Sequence, residues 1–130
     1  MRVVGNCEYG LILYRDKLPK FNNNGQMVFN AMEWPRDNSS EKIHPTQKPV
    51  QLLQRLISIF TDPGEVVIDP CCGSGSTVIA AARSGRSGYG FEIKKQFYQS
   101  ACTWLDNEGQ QSDLFAPRRI PNKQDQSALI

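Results

Sequence analysis

The sequence predicts an α/β fold in which helices flank a parallel sheet. The second half of the 130-residue chain runs in the order helix, strand, tight turn, helix, strand, helix. Such alternation is typical of parallel sheets with helices on their faces. The first strand is expected to be short and buried, and Gly85 is the expected end of an alanine-rich second helix. The first predicted helix lies between a cap at Thr46 and the Asp-Pro-Gly of 62–64, the next two cover residues 76–84 and 94–107, and the predicted strands cover 65–69 and 89–93.

The first helix is predicted from apolar residues at helical spacing. Thr46 is its expected N-terminal cap, and Pro49 suits the first turn because N–H groups there have no acceptor within the helix. Residues 62–64, Asp-Pro-Gly, end the element. Its apolar face consists of Val50, Leu52, Leu53, Leu56, Ile57, Ile59 and Phe60.

The N-terminal part of the chain carries weaker signals. Residues 8–15 are rich in aromatic and branched apolar types, which favours a strand, and residues 27–30 are predicted as a second short strand. Asn24-Gly25 indicates a turn between them. Residues 35–45 are polar, include two prolines and are expected to form a loop.

Composition limits the class of protein. The net charge of +2 does not by itself indicate a nucleic-acid partner. No apolar run approaches the ~18–20 residues of a membrane span, and the first residues lack the apolar core of a secretory signal. The four cysteines form no C-x-x-C pair and the one histidine is His44, so we predict no metal site, reduced thiols and a cytoplasmic protein.

The stretch DPCCGSGST, residues 69–77, lies where a ligand binds in open parallel sheets, beyond the carboxyl end of a strand. No lysine follows the glycines as a P-loop requires, and Val78 stands where a dinucleotide fingerprint has its third glycine. A third ligand class is a nucleoside that ends in an amino acid. Asp69 suits its ammonium group, and Glu92, at the predicted end of the next strand, suits its ribose hydroxyls. S-adenosylmethionine has these needs.

Three motifs give a specific resemblance. HPTQKP at 44–49, VVIDPCCGSGST at 66–77 and GYGFEI at 88–93 resemble the carboxyl-terminal half of the permuted, β-type DNA amino-methyltransferases, which methylate adenine N6 or cytosine N4. The resemblance is clear over 44–105 and weaker over 7–36. The usual family turn is DPFxGSGTT; here Cys71-Cys72 replaces the phenylalanine and its neighbour, and Ser76 replaces a threonine. The fold it implies is a partial Rossmann-like methyltransferase sheet with flanking helices, without the central catalytic strands.

The resemblance also implies a set of cofactor-binding residues. The methionine end of the pocket is shaped by Asp69, Gly73, Ser74, Gly75 and Thr77, and Glu92 holds the ribose. The pocket is closed by His44, Thr46, Gln47 and Lys48, and Lys48 is the charge partner of the methionine carboxylate. The alternatives are local: Asp69 as a helix cap, Glu92 as a surface charge and Lys48 as a solvated lysine. The expected cofactor-binding residues are His44, Thr46, Gln47, Lys48, Asp69, Pro70, Gly73, Ser74, Gly75, Thr77 and Glu92.

The family's catalytic tetrapeptide, (D/N/S)PP(Y/F/W), does not occur in this sequence. It positions the target amino group and stacks the flipped base, so we identify no catalytic residue and expect the chain alone to be inactive. The expected function is the S-adenosylmethionine-binding half of a DNA methyltransferase, with adenine N6 the favoured target. DNA and a complementing catalytic half are the expected partners. Two alternatives stay open: a non-enzymatic remnant that binds the cofactor or DNA, and a methyltransferase of RNA or protein.

Three segments are predicted: the end of a preceding methyltransferase segment at 1–43, a cofactor-binding core at 44–108 and a polar, mobile tail at 109–130. The string QSDLF, Gln111 to Phe115, resembles the pentapeptide by which bacterial proteins dock on the sliding clamp. The local alternative is that Leu114 and Phe115 fold back on the last helix.

Overall fold

The computed structural model describes residues 7–34 and 43–111, with side chains described as far as Gly109. In the described part three helices alternate with two strands, which confirms the predicted order and fold class. The elements are α1 Val50–Phe60, β1 Val66–Asp69, α2 Ser76–Arg83, β2 Ser87–Gly90 and α3 Lys95–Gln111.

β1 and β2 pair in parallel, with Val66 opposite Ser87 and Asp69 opposite Gly90. Since parallel strands end at the same edge of a sheet, the residues that follow both strands meet at one edge. β2 starts two residues and ends three residues earlier than the predicted strand 89–93. The early end has a local cause, because the Glu92 carboxylate accepts the Lys94 N–H at 2.7 Å and the chain turns there into α3.

The core lies between α1, α2 and one face of the sheet. α2 contacts β2 so closely that a Cβ on Gly88 would lie 2.9 Å from the Val78 carbonyl oxygen, so only glycine fits there. Small alanines on the facing side of α2 let α1 approach equally closely. The buried cluster consists of Val50, Ile57, Ile79, Ala80 and Ala81, and Leu53, Val67, Trp104 and Leu105 pack against it.

The other face of the sheet is uncovered in the described part of the chain. Val67 packs on the core, but Val66 and Ile68 are 55% and 62% exposed. Tyr89 and Phe91 are 54% and 63% exposed. Because side chains alternate between the two faces of a strand, this pattern means that helices cover a single face. The expectation of a fully buried first strand was therefore wrong. The uncovered side chains of Val66, Ile68, Tyr89 and Phe91 are called the open face below.

The two predicted N-terminal strands do not form within the described residues. Residues 8–15 and 27–30 have no regular secondary structure there, and Leu11 and Met27 are 85% and 82% exposed. An extended apolar segment counts as a strand only when it has a partner strand. The turn is confirmed, since Asn24 and Gly25 both have positive φ, 51° and 72°.

Residues 20–22 anchor this N-terminal segment at the start of β1. The Lys20 ammonium donates to Asp62 at 2.5 Å and to Glu65 at 2.7 Å. The Asn22 N–H donates to the Ile59 carbonyl at 2.7 Å. We call the Lys20–Asp62–Glu65 group the basal clasp, because it lies at the amino end of β1.

The helix ends differ in part from those predicted. Thr46 does not cap α1, whose N-cap is Pro49 without a side-chain bond. Thr46 instead contacts the His44 ring, 3.1 Å from Oγ1 to Nδ1. Gly85 follows α2 with a φ of 72°, as predicted for a C-terminal glycine. α3 continues to Gln111, four residues beyond the predicted end.

Several predictions fall outside the described residues. They concern most of the loop at 35–45 and, apart from Gln111, the clamp-like string 111–115 and the tail after it. The predicted boundaries of the three segments likewise stay predictions. In the described part of the chain, no helix has both the length and the apolar character needed to cross a membrane.

Candidate functional site

The loop between β1 and α2 is folded by its own backbone. The Gly75 N–H donates to the Cys72 carbonyl at 2.8 Å, which closes a tight turn, and α2 begins at Ser76. The Cys72 N–H donates to the Phe91 carbonyl at 2.9 Å and joins the loop to the segment after β2. The site is therefore built where both strands end.

Two glycines give the loop its shape. The sequence predicted glycine there so that a ligand can approach the backbone, whereas the structure shows protein neighbours close to both positions. Gly73 and Gly75 have positive φ, 51° and 83°, a region that costs other residues strain. A Cβ on Gly75 would lie 3.2 Å from the Ala101 Cβ of α3, and one on Gly73 would lie 3.4 Å from the His44 ring. Gly75 thus permits α3 to pack close to the loop, and Gly73 leaves room for His44.

A cavity of about 270 Å³ opens beside this loop. It brings together seven of the predicted site residues: His44, Thr46, Lys48, Asp69, Gly73, Ser74 and Thr77. Three further lining residues were not predicted: Cys71, Cys72 and Ser76. These three residues lie within the same predicted loop, and that position in the sequence could have indicated them. Four predicted residues are not part of the lining: Gln47, Pro70, Gly75 and Glu92.

His44 forms one wall of the cavity. Its ring meets Phe97 of α3 edge-on, with 4.2 Å between the ring centroids. Nδ1 lies 3.2 Å from the Thr46 backbone N–H, which can only donate, so Nδ1 accepts and a neutral ring carries its proton on Nε2. The residue thus fixes the loop before α1. Gln47 supports the same loop by accepting the Ile43 N–H at 3.0 Å.

Lys48 supplies the positive charge of the cavity lining. Its ammonium lies 2.6 and 2.7 Å from the two carboxylate oxygens of Glu8. It also lies 4.8 Å from the centroid of the Trp34 ring, within the range of a cation–π contact. Lys48 is therefore held by the N-terminal segment and is not a freely solvated side chain.

The two carboxylates at the site each hold a local turn. One Asp69 oxygen accepts the Cys71 N–H at 3.0 Å, and Glu92 accepts the Lys94 N–H. Both charges also act on one thiol: burial raises the pKa of Cys72 above its usual value, and the charges of Asp69 and Glu92 raise it further. The two carboxylates thus flank the same part of the loop, although only Asp69 lines the cavity.

The sequence matches a family model described as DNA methylase, of the N6/N4 type, over residues 12–103. The chain belongs to the N6/N4 DNA methylase family. "Putative methylase YubD" of Escherichia coli (strain K12) is 48% identical over 94 residues, which cover 72% of this chain and 38% of the relative. The DNA adenine methyltransferase YhdJ of the same organism is 36% identical over 99 residues, covering 74% and 34%.

A solved methylase also has a similar structure. The crystal structure of the M1.HpyAVI–SAM complex superposes with a TM-score of 0.61 at 32% identity and covers 70% of this chain and 46% of that one. The chain thus spans 34–38% of the length of the two curated relatives. It corresponds to part of the family fold.

Proposed function

We propose that this chain forms the S-adenosylmethionine-binding part of a DNA methyltransferase that modifies an exocyclic amino group, with adenine N6 favoured. The main support is the cavity beyond β1, where the HPTQKP segment and the DPCCGSGST loop meet. YhdJ is named as an adenine methyltransferase, and the M1.HpyAVI structure is a complex with SAM. Both are family members with sequence identity above 30%.

The lining fits the two charges of an amino acid. Asp69 and Lys48 both line the cavity. Asp69 is the proposed partner of the ammonium group, and Lys48 is the proposed partner of the carboxylate. Glu92 is the proposed partner of the ribose hydroxyls, because it follows the carboxyl end of β2 at the edge of the sheet where the loop lies. The cofactor supplies the methyl group; the residues of this chain bind and orient it. Pro70, Gln47 and Gly75 act in this proposal by shaping the loops.

Methyl transfer also requires an extruded base beside the methyl group. We infer that catalysis rests on positioning and electrostatics, with the amino nitrogen of the base as the nucleophile. The sequence lacks the tetrapeptide that holds the base in the family, so this chain by itself is proposed to be inactive. Methyl transfer from tritiated cofactor to genomic DNA above a heat-denatured control would contradict that statement.

Calorimetric titration with S-adenosylmethionine tests the binding proposal. Asp69→Asn and Glu92→Gln are expected to weaken binding by about 1.5–3 kcal/mol each, the range for hydrogen bonds to charged groups. Glu92→Gln keeps an oxygen that accepts the Lys94 N–H, so the turn before α3 is retained. Asp106→Asn, on an exposed position of α3, is the matched control and is expected to bind like the wild type. Equal binding by all four proteins would refute the pocket.

We further propose that the parts of the family fold without a counterpart among the described residues complete this sheet, with helices on the open face and strands at its edges. The four side chains of the open face are 54–63% exposed on a sheet that has two strands in the described residues. The solved relative is about twice as long as the part matched here, because that part covers 46% of it. An apolar sheet face of this kind is covered in folded domains. We expect co-expression with the unmatched part of YubD to give a stable complex that methylates DNA.

Two isoleucines provide the control for this interface. Ile68→Glu places a charge on the open face and is expected to abolish the complex. Ile93 lies at the bend between Glu92 and α3, where the chain has left the line of β2, so Ile93→Glu is expected to leave the complex intact. A complex that forms without any methyl transfer would favour the alternative function, a non-enzymatic module that binds the cofactor. No complex with either wild type or variant would contradict the proposed interface.

A further inference from the structure

Two residues of the N-terminal segment hold the lysine that lines the cavity. The Glu8 carboxylate contacts the Lys48 ammonium through both oxygens, at 2.6 and 2.7 Å, and the Trp34 ring lies 4.8 Å from it. Neither residue lines the cavity or belongs to the three motifs. We propose that Glu8 and Trp34 are positioning residues that aim the Lys48 ammonium at the carboxylate of the methyl donor. This inference rests on the proposed function.

The reason for such positioning is the lysine side chain itself. Its four-carbon stem is flexible, and ordering it costs rotamer entropy that a ligand must otherwise overcome on binding. The Glu8 carboxylate and the Trp34 ring fix the ammonium before the ligand arrives, which is preorganisation. An ammonium group has three N–H donors, so it can contact Glu8 and still direct a donor towards the cavity.

Charge balance supports a Glu8 that stays in place when the donor binds. The donor carries a sulfonium, an ammonium and a carboxylate, which gives it one net positive charge. Lys48 and Asp69 together contribute no net charge, and Glu8 adds one negative charge beside them. Glu92, the proposed partner of the ribose, adds a further negative charge, so the site is net negative and Glu8 strengthens its complementarity to the positive donor.

The N-terminal segment is fixed at both ends of β1, so the position of Glu8 is defined. The basal clasp holds Lys20 against residues that precede β1. Glu8 reaches Lys48, which lines the cavity together with Asp69, the last residue of β1. Residues 8–20 therefore run from the cavity to the opposite end of the strand.

The experiment measures binding of three nucleosides to the full chain: S-adenosylmethionine, S-adenosylhomocysteine and 5′-methylthioadenosine. The third lacks the amino acid and with it the carboxylate. Glu8→Gln is expected to weaken binding of the first two by about tenfold, as for one lost hydrogen bond to a charged group, and Trp34→Leu by about threefold, as for one lost cation–π contact. Binding of 5′-methylthioadenosine is expected to stay unchanged. Trp34→Phe retains a ring and is expected to restore most of the affinity.

Glu33→Gln, an exposed neighbour of Trp34, is the matched control and is expected to bind all three like the wild type. Equal weakening of all three nucleosides by Glu8→Gln would indicate a merely structural role and overturn the inference. Tighter binding of S-adenosylhomocysteine by Glu8→Gln would show that Glu8 competes with the ligand, which also overturns it. If the wild type binds none of the three, the proposed function itself fails; if it binds them and the variants match it, only the present inference fails.

Discussion

At the scale of single residues, backbone conformation constrains the cavity loop as strongly as any side chain does. Gly75 combines a φ of 83° with a close approach to α3, where an added Cβ would lie 3.2 Å from that of Ala101. Gly85 has a similar φ of 72° but nothing within 4 Å of an added Cβ. The two positions therefore separate the cost of backbone strain from the cost of crowding.

We expect Gly85→Ala to lower the free energy of unfolding by about 1 kcal/mol, from backbone strain alone. Gly75→Ala is expected to lower it by about 2–3 kcal/mol, because the methyl group also displaces Ala101. Urea denaturation followed by circular dichroism measures both values. Equal losses in the two variants would show that the contact with α3 does not constrain the loop.

The adjacent cysteines of the loop differ in environment. Cys71 is exposed, whereas Cys72 is half-buried, and burial raises the pKa of its thiol. Because the thiolate is the reactive form, we expect iodoacetamide at neutral pH to modify Cys72 more slowly than the exposed Cys71 and Cys7. Peptide mass spectrometry over a time course checks this order. Equal rates at all three thiols would contradict the burial of Cys72.

At the scale of elements, the basal clasp links the N-terminal segment to β1 by charge. Hydrogen bonds from Lys20 hold the pKa of Asp62 below its ordinary 3.8 and that of Glu65 below its ordinary 4.5. The bonds to both carboxylates raise the pKa of Lys20 above its ordinary 10.5. A carboxyl group whose pKa is lowered on folding stabilises the fold at pH values above its unfolded pKa. A lysine whose pKa is raised on folding stabilises the fold at pH values below its unfolded pKa. The basal clasp therefore stabilises the fold fully at pH values between the unfolded pKa values of its carboxyl groups and that of its lysine.

We expect Lys20→Met to lower the melting temperature by a constant amount across neutral pH. The difference from the wild type is expected to fade as the pH falls through the lowered pKa values of Asp62 and Glu65, because both carboxyl groups are then protonated in both proteins. Thermal melts from pH 2 to 8 measure it, with Lys17→Met as the control. A difference that persists at pH 2 would mean that Lys20 stabilises the protein by packing and not by charge.

The helices were predictable from sequence because their apolar spacing depends on local geometry and on one covered face. The α1 pattern from Val50 to Phe60 is an example. Residues 8–15 look equally apolar, yet a strand also needs a partner in space, which no local pattern specifies. Seven of the proposed cofactor-binding residues meet in one cavity because they belong to two short segments that the fold brings together. The contact of Glu8 with Lys48, 40 residues away, depends on the tertiary path of the chain and left no local signal.

At the scale of the whole molecule, the covered and uncovered faces of the sheet set how the chain behaves alone. α1 and α2 bury one face. Among the described residues the sheet has two strands with unpaired outer edges, and the open face presents four large apolar side chains beside them. Exposed apolar patches and unpaired strand edges both favour association between chains. Small two-stranded sheets are also marginal in stability unless helices or further strands cover them.

We therefore expect the isolated chain to self-associate at micromolar concentration through the open face. Ile68→Glu is expected to shift it towards the monomer, because association would bury a charge at the centre of the apolar face. Ile93→Glu adds the same charge at the bend before α3, outside the line of β2, and it is expected to associate like the wild type. Sedimentation velocity over a hundredfold range of concentration distinguishes the two variants. A wild-type chain that stays monomeric throughout, with a sharp cooperative melt, would show that the open face is stable in water without a partner.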